Sequence, residues 1–340
     1  MPQDISQPDP TPVLELLDGF RRSKAMFAGV SLGVFDALEE GPQSAAKLAS
    51  RLKCHPEALE RLLSACVGLQ LLQREGEAYA NTPTAKAFLT QTSPRRMTGY
   101  INFANNVTWR LWERLEDAVR EGSHRWPQVF GWEGPIFSHF FRDEHSKREF
   151  LMGMHGFGVI SSPQVVSSFD LSRFTRLVDL GGATGHLAIA ACQRYPALNA
   201  VVFDLPQVIP LAREIVAASP VSRQIEFVEG NFFTDAIPQA DLYSLGRILH
   251  DWSEEKIYKL LTLIYDRLPV GGGLLIAEKL LWEDKSGPST GQLQDLNMLS
   301  CTEGRERSLR EYESVLARVG FRDVVGCRTS APVDAVLALK

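Results

Sequence analysis

The chain has 340 residues, of which 44% are hydrophobic and 23% charged; at roughly 100–200 residues per domain this predicts two or three globular domains and excludes a disordered or collagen-like chain. The formal net charge of −5 leaves no broad basic field to hold a nucleic acid or an anionic membrane surface. No apolar run reaches about 18 residues, so no membrane-spanning helix is expected, and Met1-Pro2-Gln3-Asp4 lacks the basic-then-apolar order of a secretion signal.

The first ten residues are polar, hold Pro2, Pro8 and Pro10, and read as a flexible tail. Thr11-Pro12 reads as a helix N-cap followed by proline in the first turn. The segment from there to Glu40 carries Phe20, Met26, Phe27, Val30, Leu32, Val34 and Phe35. So much apolar surface points either to a partner chain or to burial within its own domain. Ser44 is placed to cap a helix over 45–52. His55-Pro56 opens a second helix, with Leu59, Leu62, Leu63, Cys66 and Val67 spaced along one face. Residues 71–74 and 77–80 flank Glu75-Gly76 as a β-hairpin. Two helices and a hairpin make a winged-helix pattern. Its second helix sets Arg61 against Glu57 and Glu60, too little positive charge to read DNA, so a structural role is expected.

Residues 84–170 read as helices joined by aromatic-rich loops, including Trp109, Trp112, Trp126, Phe137, Phe140 and Phe150. These aromatics suit a core and equally a pocket for a flat substrate. From about 174 strands and helices alternate. Strands are expected over 176–180, 200–204, 225–228, 241–245 and 274–278, with two more near 321–325 and 335–339. The alternation implies an α/β domain whose parallel sheet is covered on both faces.

The first of these strands runs into Leu180-Gly181-Gly182-Ala183-Thr184-Gly185 and then a helix. Such a turn brings backbone N–H groups to a ligand at a helix N-terminus; its other reading is a plain tight turn. The second strand ends at Asp204, where a carboxylate can accept ribose hydroxyls. The glycines do not follow G-x-G-x-x-G, so the pyrophosphate cradle of a dinucleotide is missing. After the third strand come Gly230-Asn231-Phe232-Phe233. Asn231 suits an adenine edge and Phe232 its face, and both phenylalanines equally suit ordinary core.

The fourth strand leads into Gly246-Arg247-Ile248-Leu249-His250-Asp251-Trp252-Ser253, with Ser253 as N-cap of the next helix. His250 therefore sits at the mouth of the crevice, where an imidazole can act as general base. Glu278 ends the fifth strand and reaches the same mouth. Glu306 precedes a helix opened by the capping box Ser308-x-x-Glu311. A carboxylate on one imidazole nitrogen would fix the tautomer that leaves the other nitrogen free; the plainer reading of Glu306 is a solvated charge paired with Arg305 or Arg307. The seven histidines show no metal-site spacing, so no metal is expected. Five widely spaced cysteines, Cys54, Cys66, Cys192, Cys301 and Cys327, read as reduced thiols of a cytoplasmic protein.

These motifs together, with Phe203-Asp204-Leu205-Pro206, His250-Asp251-Trp252 and Glu303-Gly304-Arg305-Glu306-Arg307, resemble the S-adenosylmethionine-dependent small-molecule O-methyltransferases, and among them the acetylserotonin (hydroxyindole) type. The resemblance runs from about Leu14 to the C-terminus. It implies a class I methyltransferase Rossmann-like, mostly parallel sheet behind an N-terminal α-helical, winged-helix-like dimerisation domain. The implied division is a tail over 1–13, the dimerisation domain over 14–95, a helical linker and pocket region over 96–170 and the S-adenosylmethionine-binding domain over 171–340. It implies S-adenosyl-L-methionine as cofactor, S-adenosyl-L-homocysteine as product, a small aromatic acceptor and a homodimer.

Residue by residue, Gly181 would face the methionine part of the cofactor, Asp204 the ribose, Gly230, Asn231 and Phe232 the adenine, and Arg247 the methionine carboxylate. His250 matches the general base, Asp251 stands next to it, and Glu278 and Glu306 match its flanking acids. Phe150 and Met154 match the pair that sandwiches the acceptor ring, and Asn297 a substrate-contacting amide. Three positions depart from the family pattern. Asn231 replaces an aspartate, Cys301 a glutamine of the acetylserotonin enzymes, and Ala183 a glycine, the last with little expected effect.

Overall fold

The computed structural model describes residues 8–134, 136–141 and 143–340. The chain divides into two compact units, one ending at Asn105 and one beginning at Asn106.

The first unit comprises α1 (Thr11–Ser31), α2 (Val34–Ala37), β1 (Gln43–Ser44), α3 (Ala45–Leu52), α4 (Pro56–Gly68), β2 (Leu72–Glu75), β3 (Ala78–Asn81), α5 (Pro83–Phe88) and α6 (Thr98–Phe103). Most of the expected tail lies outside the described residues. Thr11 is not the cap of α1 but its first residue. Pro10 holds the cap position, and the Asp9 carboxylate accepts the Thr11 N–H at 3.0 Å. The apolar segment up to Glu40 is largely helical, its two helices parting at Gly33, where φ is 74°. Ser44 caps α3 as expected, accepting the Lys47 N–H. Leu59, Leu63 and Cys66 of α4 are buried. The hairpin closes at Gly76, and β1 joins it to give the order β1-β3-β2. Phe27 and Val30 of α1 are buried, whereas Val13, Leu14, Leu16, Leu17 and Phe20 stand exposed.

The second unit opens with α7 (Trp109–Trp112), α8 (Leu115–Glu121), α9 (Trp126–Phe130), α10 (Ile136–Phe140) and α11 (Glu144–Ser167). The sheet domain follows: β4 (Arg176–Leu180), α12 (His186–Arg194), β5 (Asn199–Asp204), α13 (Ile209–Ala217), β6 (Ile225–Glu229), β7 (Leu242–Gly246), α14 (Glu254–Arg267), β8 (Gly273–Glu278), β9 (Leu280–Leu281), α15 (Ser289–Cys301), β10 (Arg307–Ser308), α16 (Leu309–Val319), β11 (Arg322–Cys327) and β12 (Asp334–Leu339). Seven strands form one sheet in the order β11-β12-β8-β7-β4-β5-β6. The five central and right-hand strands are parallel, and β12 runs antiparallel between β8 and β11. The connection from β11 to β12 is too short for the crossover a parallel pair needs.

Alternate residues of each strand face opposite sides. Val178, Leu180, Tyr243, Leu245 and Ile276 pack with α14 and α16. Leu177, Ala200, Val202, Leu242 and Leu275 pack with α12 and α13. The aromatics before the sheet differ in burial. Trp126 is buried and donates its indole N–H to the Cys301 carbonyl at 2.7 Å. Phe137, Phe150 and Trp252 are only partly buried and cluster, with Phe137 5.6 Å from Trp252. The carboxyl ends of β4, β5, β7 and β8 thus converge on one edge, where strand order reverses about β4.

Candidate active site

On the cofactor side, β4 ends in the glycine turn. Gly181 donates its N–H to the Phe203 carbonyl at 2.8 Å, and a Cβ there would lie 2.6 Å from the Ile248 side chain. Asp204, at the end of β5, accepts the Ala183 N–H at 2.8 Å on one oxygen and the Leu205 N–H at 2.7 Å on the other. Each oxygen keeps a lone pair for a ligand hydroxyl. Burial pushes Asp204 up to about 6. Behind it, buried Asp179 accepts the Ser244 hydroxyl at 2.6 Å, and burial together with the Asp204 charge pushes it up to about 7.

Ala183 is not neutral. It adopts φ 48°, a left-handed conformation that costs an L-residue about 1–2 kcal/mol, so the missing glycine is felt as strain. Arg247 is strained in the same way at φ 56°. Its guanidinium lies 4.6 Å from the Phe157 ring centre, and its Nε is buried with no hydrogen-bond partner. A cation with an unused donor suits an anionic ligand group.

Gly230 donates to the Asp204 carbonyl at 2.9 Å. Asn231 uses its side-chain oxygen to accept the Phe233 N–H at 2.9 Å, and its own N–H meets the Asp235 carboxylate at 2.8 Å. The replacement of aspartate therefore leaves an amide donor where an acceptor is usual. Phe232 packs edge-on against Phe233 at 4.7 Å, and Phe233 against Trp252 at 4.9 Å; both phenylalanines are partly buried and border the same core.

On the His250 side, residues 249–251 form a 3-10 turn beyond β7. Glu278 ends the adjacent β8. One of its oxygens accepts three consecutive backbone N–H groups, of Ile248 at 3.0 Å, Leu249 at 2.6 Å and His250 at 3.2 Å. The other accepts the Tyr312 hydroxyl. Glu278 thus holds the turn that carries His250, and its carboxylate also lies within 4.8 Å of the imidazole's ligating nitrogen. Glu306 does touch the ring: its carboxylate lies 2.6 Å from His250 Nδ1. It is 1% exposed, so the solvated-charge reading falls, and Arg305 pairs with Glu254 and Glu311 instead. Asp251 stands 3.8 Å from His250 Nε2. Burial alone would push the imidazole down; the carboxylates of Glu306, Asp251 and Glu278 overcome it and hold it up to about 9. Burial pushes Asp251 up to about 6.

The ligating atoms of His250, Glu278 and Glu306 lie within 4.8 Å of one another, but Glu278 already faces four donors and Nδ1 faces Glu306, a hydrogen-bond chain rather than an open ligand set. Ser253 occupies the N-cap position of α14 without a side-chain cap bond.

Of the expected acceptor residues, Phe150 stacks on Phe140 at 4.3 Å and meets Phe137 and Phe141 edge-on at 6.4 and 6.0 Å. Met154 is half-buried one turn further along α11. The Asn297 oxygen accepts the Trp112 indole N–H at 2.8 Å and the Cys301 thiol at 3.4 Å. Tyr312 is a contributor that the sequence did not single out, while Trp112 stood only among the aromatics and Gly304 only within a motif. Tyr312 lies in an amphipathic stripe with Val315 and Leu316; a phenol on a buried face needs a partner, and that was the readable signal.

Gly304 sets how close the 302–306 segment comes to His250. A Cβ there would lie 2.3 Å from the His250 carbonyl oxygen and 2.7 Å from the Trp252 nitrogen, both backbone atoms. Gly304→Ala is expected to push Glu306 off the imidazole and to lower turnover about 10–100-fold in a folded protein; steady-state kinetics beside circular-dichroism melting checks this.

Comparison with known proteins identifies the family. An O-methyltransferase domain family matches residues 112–322, and an O-methyltransferase dimerisation domain matches residues 14–91. Acetylserotonin O-methyltransferase of Gallus gallus is 42% identical over 338 residues, covering 97% of each chain. The crystal structure of human N-acetylserotonin methyltransferase in complex with SAM superposes with a TM-score of 0.92 at 38% identity, covering 98% of this chain and 99% of the other. PigF with SAH gives a TM-score of 0.88 at 28% identity, covering 98% and 100%. The chain belongs to the S-adenosylmethionine-dependent O-methyltransferase family, with a dimerisation domain ahead of a class I methyltransferase domain.

Proposed function

We propose that the protein methylates the hydroxyl of a small aromatic acceptor, a hydroxyindole or phenol, with His250 as general base. The observation that carries the reading is the Glu306 carboxylate 2.6 Å from His250 Nδ1, with Nε2 making no hydrogen bond among the described residues. The names of the relatives support the acceptor class.

The cofactor side fits S-adenosylmethionine. Asp204 would take the ribose hydroxyls, Arg247 with its unused Nε the methionine carboxylate, Gly181 the methionine backbone, and Gly230, Asn231 and Phe232 the adenine. When bound, S-adenosylmethionine supplies an electrophilic methyl group on a sulfonium sulfur. The chain's own residues orient the acceptor and remove its proton. Phe150 and Met154 hold the acceptor ring, and Asn297, its oxygen already engaged by Trp112 and Cys301, offers the acceptor its amide N–H groups. His250 Nε2 then accepts the hydroxyl proton while Glu306 stabilises the imidazolium. A base held up near 9 is well matched to a phenol of pKa about 10. It must first be neutral, and at neutral pH the charged form predominates.

Residues 14–95 serve as a winged-helix-like dimerisation domain, 96–170 as linker and pocket, and 171–340 as the cofactor domain. The homodimer is supported by the matched dimerisation domain and by the exposed face of α1. The five unpaired cysteines support a cytoplasmic location, and the acidic net charge argues against a nucleic-acid or membrane partner.

His250→Ala is expected to lower kcat about 10²–10⁴-fold with cofactor affinity unchanged. In the wild type, kcat should rise with pH and level off above about 9, because deprotonation creates the active base; a profile flat from pH 7 to 10 would remove the base assignment. In calorimetric titration with S-adenosylmethionine, Asp204→Ala should weaken binding at least about tenfold. Wild-type affinity should itself fall below pH 6 as Asp204 takes up a proton and loses an acceptor. Leu17→Asp with Phe20→Asp should convert a dimer to monomer in analytical ultracentrifugation.

A further inference from the structure

We propose that Tyr312 is a positioning residue for the base: its hydroxyl holds Glu278 in the one pose that gathers the Ile248, Leu249 and His250 amides, and thereby aims the imidazole. This deepens the reading of His250 as base and rests on it.

The geometry is a relay of three links. Tyr312 donates to one Glu278 oxygen. The other oxygen accepts three successive N–H groups of the turn. The last of those amides belongs to His250. Tyr312 and Glu278 are each 1% exposed, so water does not stand in for either. A carboxylate whose outer oxygen loses its donor can rotate, and rotation breaks the three-amide contact on the inner oxygen. Tyr312 is itself rigidly placed. It follows Glu311 of the capping box that starts α16, and its ring packs in the core beside Val315 and Leu316. Burial and the Glu278 and Glu306 carboxylates keep its hydroxyl protonated, a permanent donor.

The charged groups around Glu278 come from every neighbouring element. His250 and Asp251 lie on the turn, Arg247 just before it, Glu306 and Arg307 on the segment entering β10, and Tyr312 on α16. Asp334 is the register partner of Glu278 on β12, and it is occupied by Lys279 and the Leu280 N–H. Among these only Tyr312 is seen to donate to the outer oxygen of Glu278. Glu306 orients the ring from the other side, and Tyr312→Phe leaves that contact in place.

The test uses the full-length protein and three readouts: steady-state kinetics for both substrates, thermal melting, and NMR titration of the His250 imidazole, assigned with His250→Gln. Tyr312→Phe is expected to lower kcat about tenfold, to leave KM for S-adenosylmethionine within about twofold, and to lower the His250 titration point by at least about 0.5 pH unit as the Glu278 charge leaves the turn. In a Glu278→Gln background the same substitution should add nothing, the signature of two groups acting as one unit. A lower melting temperature with unchanged kcat and titration overturns the proposal, because the tyrosine then only packs. Additive effects in the Gln background overturn it too. Should Tyr312→Phe not fold, 3-fluorotyrosine at 312 keeps the shape and strengthens the donor; the titration then moves the opposite way, and no movement overturns the proposal. The base reading fails separately, by an active His250→Ala, while the NMR titration still reports on Tyr312.

Discussion

A carboxylate removed from water must find donors, and Glu278 finds four. That requirement organises the edge of the second unit's sheet where His250 stands. Parallel pairing sets Gly246 of β7 opposite Ala277 of β8, so Glu278 lies one step beyond, beneath the turn that β7 feeds. Three amides close on one oxygen only if the chain bends sharply right after the strand. The left-handed conformation of Arg247 makes that bend. A buried acid thus shapes the backbone, and the backbone delivers the histidine.

The second carboxylate works on the ring instead of the chain. Glu306 arrives from a distant segment that can approach only because position 304 has no side chain. The two acids do separate jobs with one chemistry. One determines where the imidazole is; the other determines which nitrogen carries its proton and how readily the charged form is held. Their combined field, with that of Asp251, outweighs the penalty of burying a cation.

Strain gathers at the same crevice. Ala183 and Arg247 are both non-glycine residues at positive φ, and both face the cofactor side. Such conformations persist only where neighbours over-determine them. Here Asp204 holds the Ala183 N–H, and the β8 carbonyl of Ala277 accepts the Arg247 N–H at 3.0 Å. The crevice is therefore preset by hydrogen bonds of the chain to itself.

Local signals were legible in the sequence. Alternating apolar strands and the Ser44 and Ser308 caps depend on neighbours a few residues away, and they stand where periodicity and cap chemistry put them. The break at Gly33, the start of α1 at Thr11 behind Pro10 and the antiparallel β12 were not read, because each depends on what the chain packs against or how short a return it must make. At the site, strand ends placed Asp204, His250 and Glu278 at one mouth from the sequence alone, since strand topology alone brings carboxyl ends together. What each carboxylate would hold was decided only by tertiary structure. Glu278 went to backbone amides, Glu306 to an imidazole 56 residues away in sequence, and Tyr312 from a core stripe to Glu278. Hydrogen-bond partners across that separation follow from burial and close approach, which no local pattern encodes.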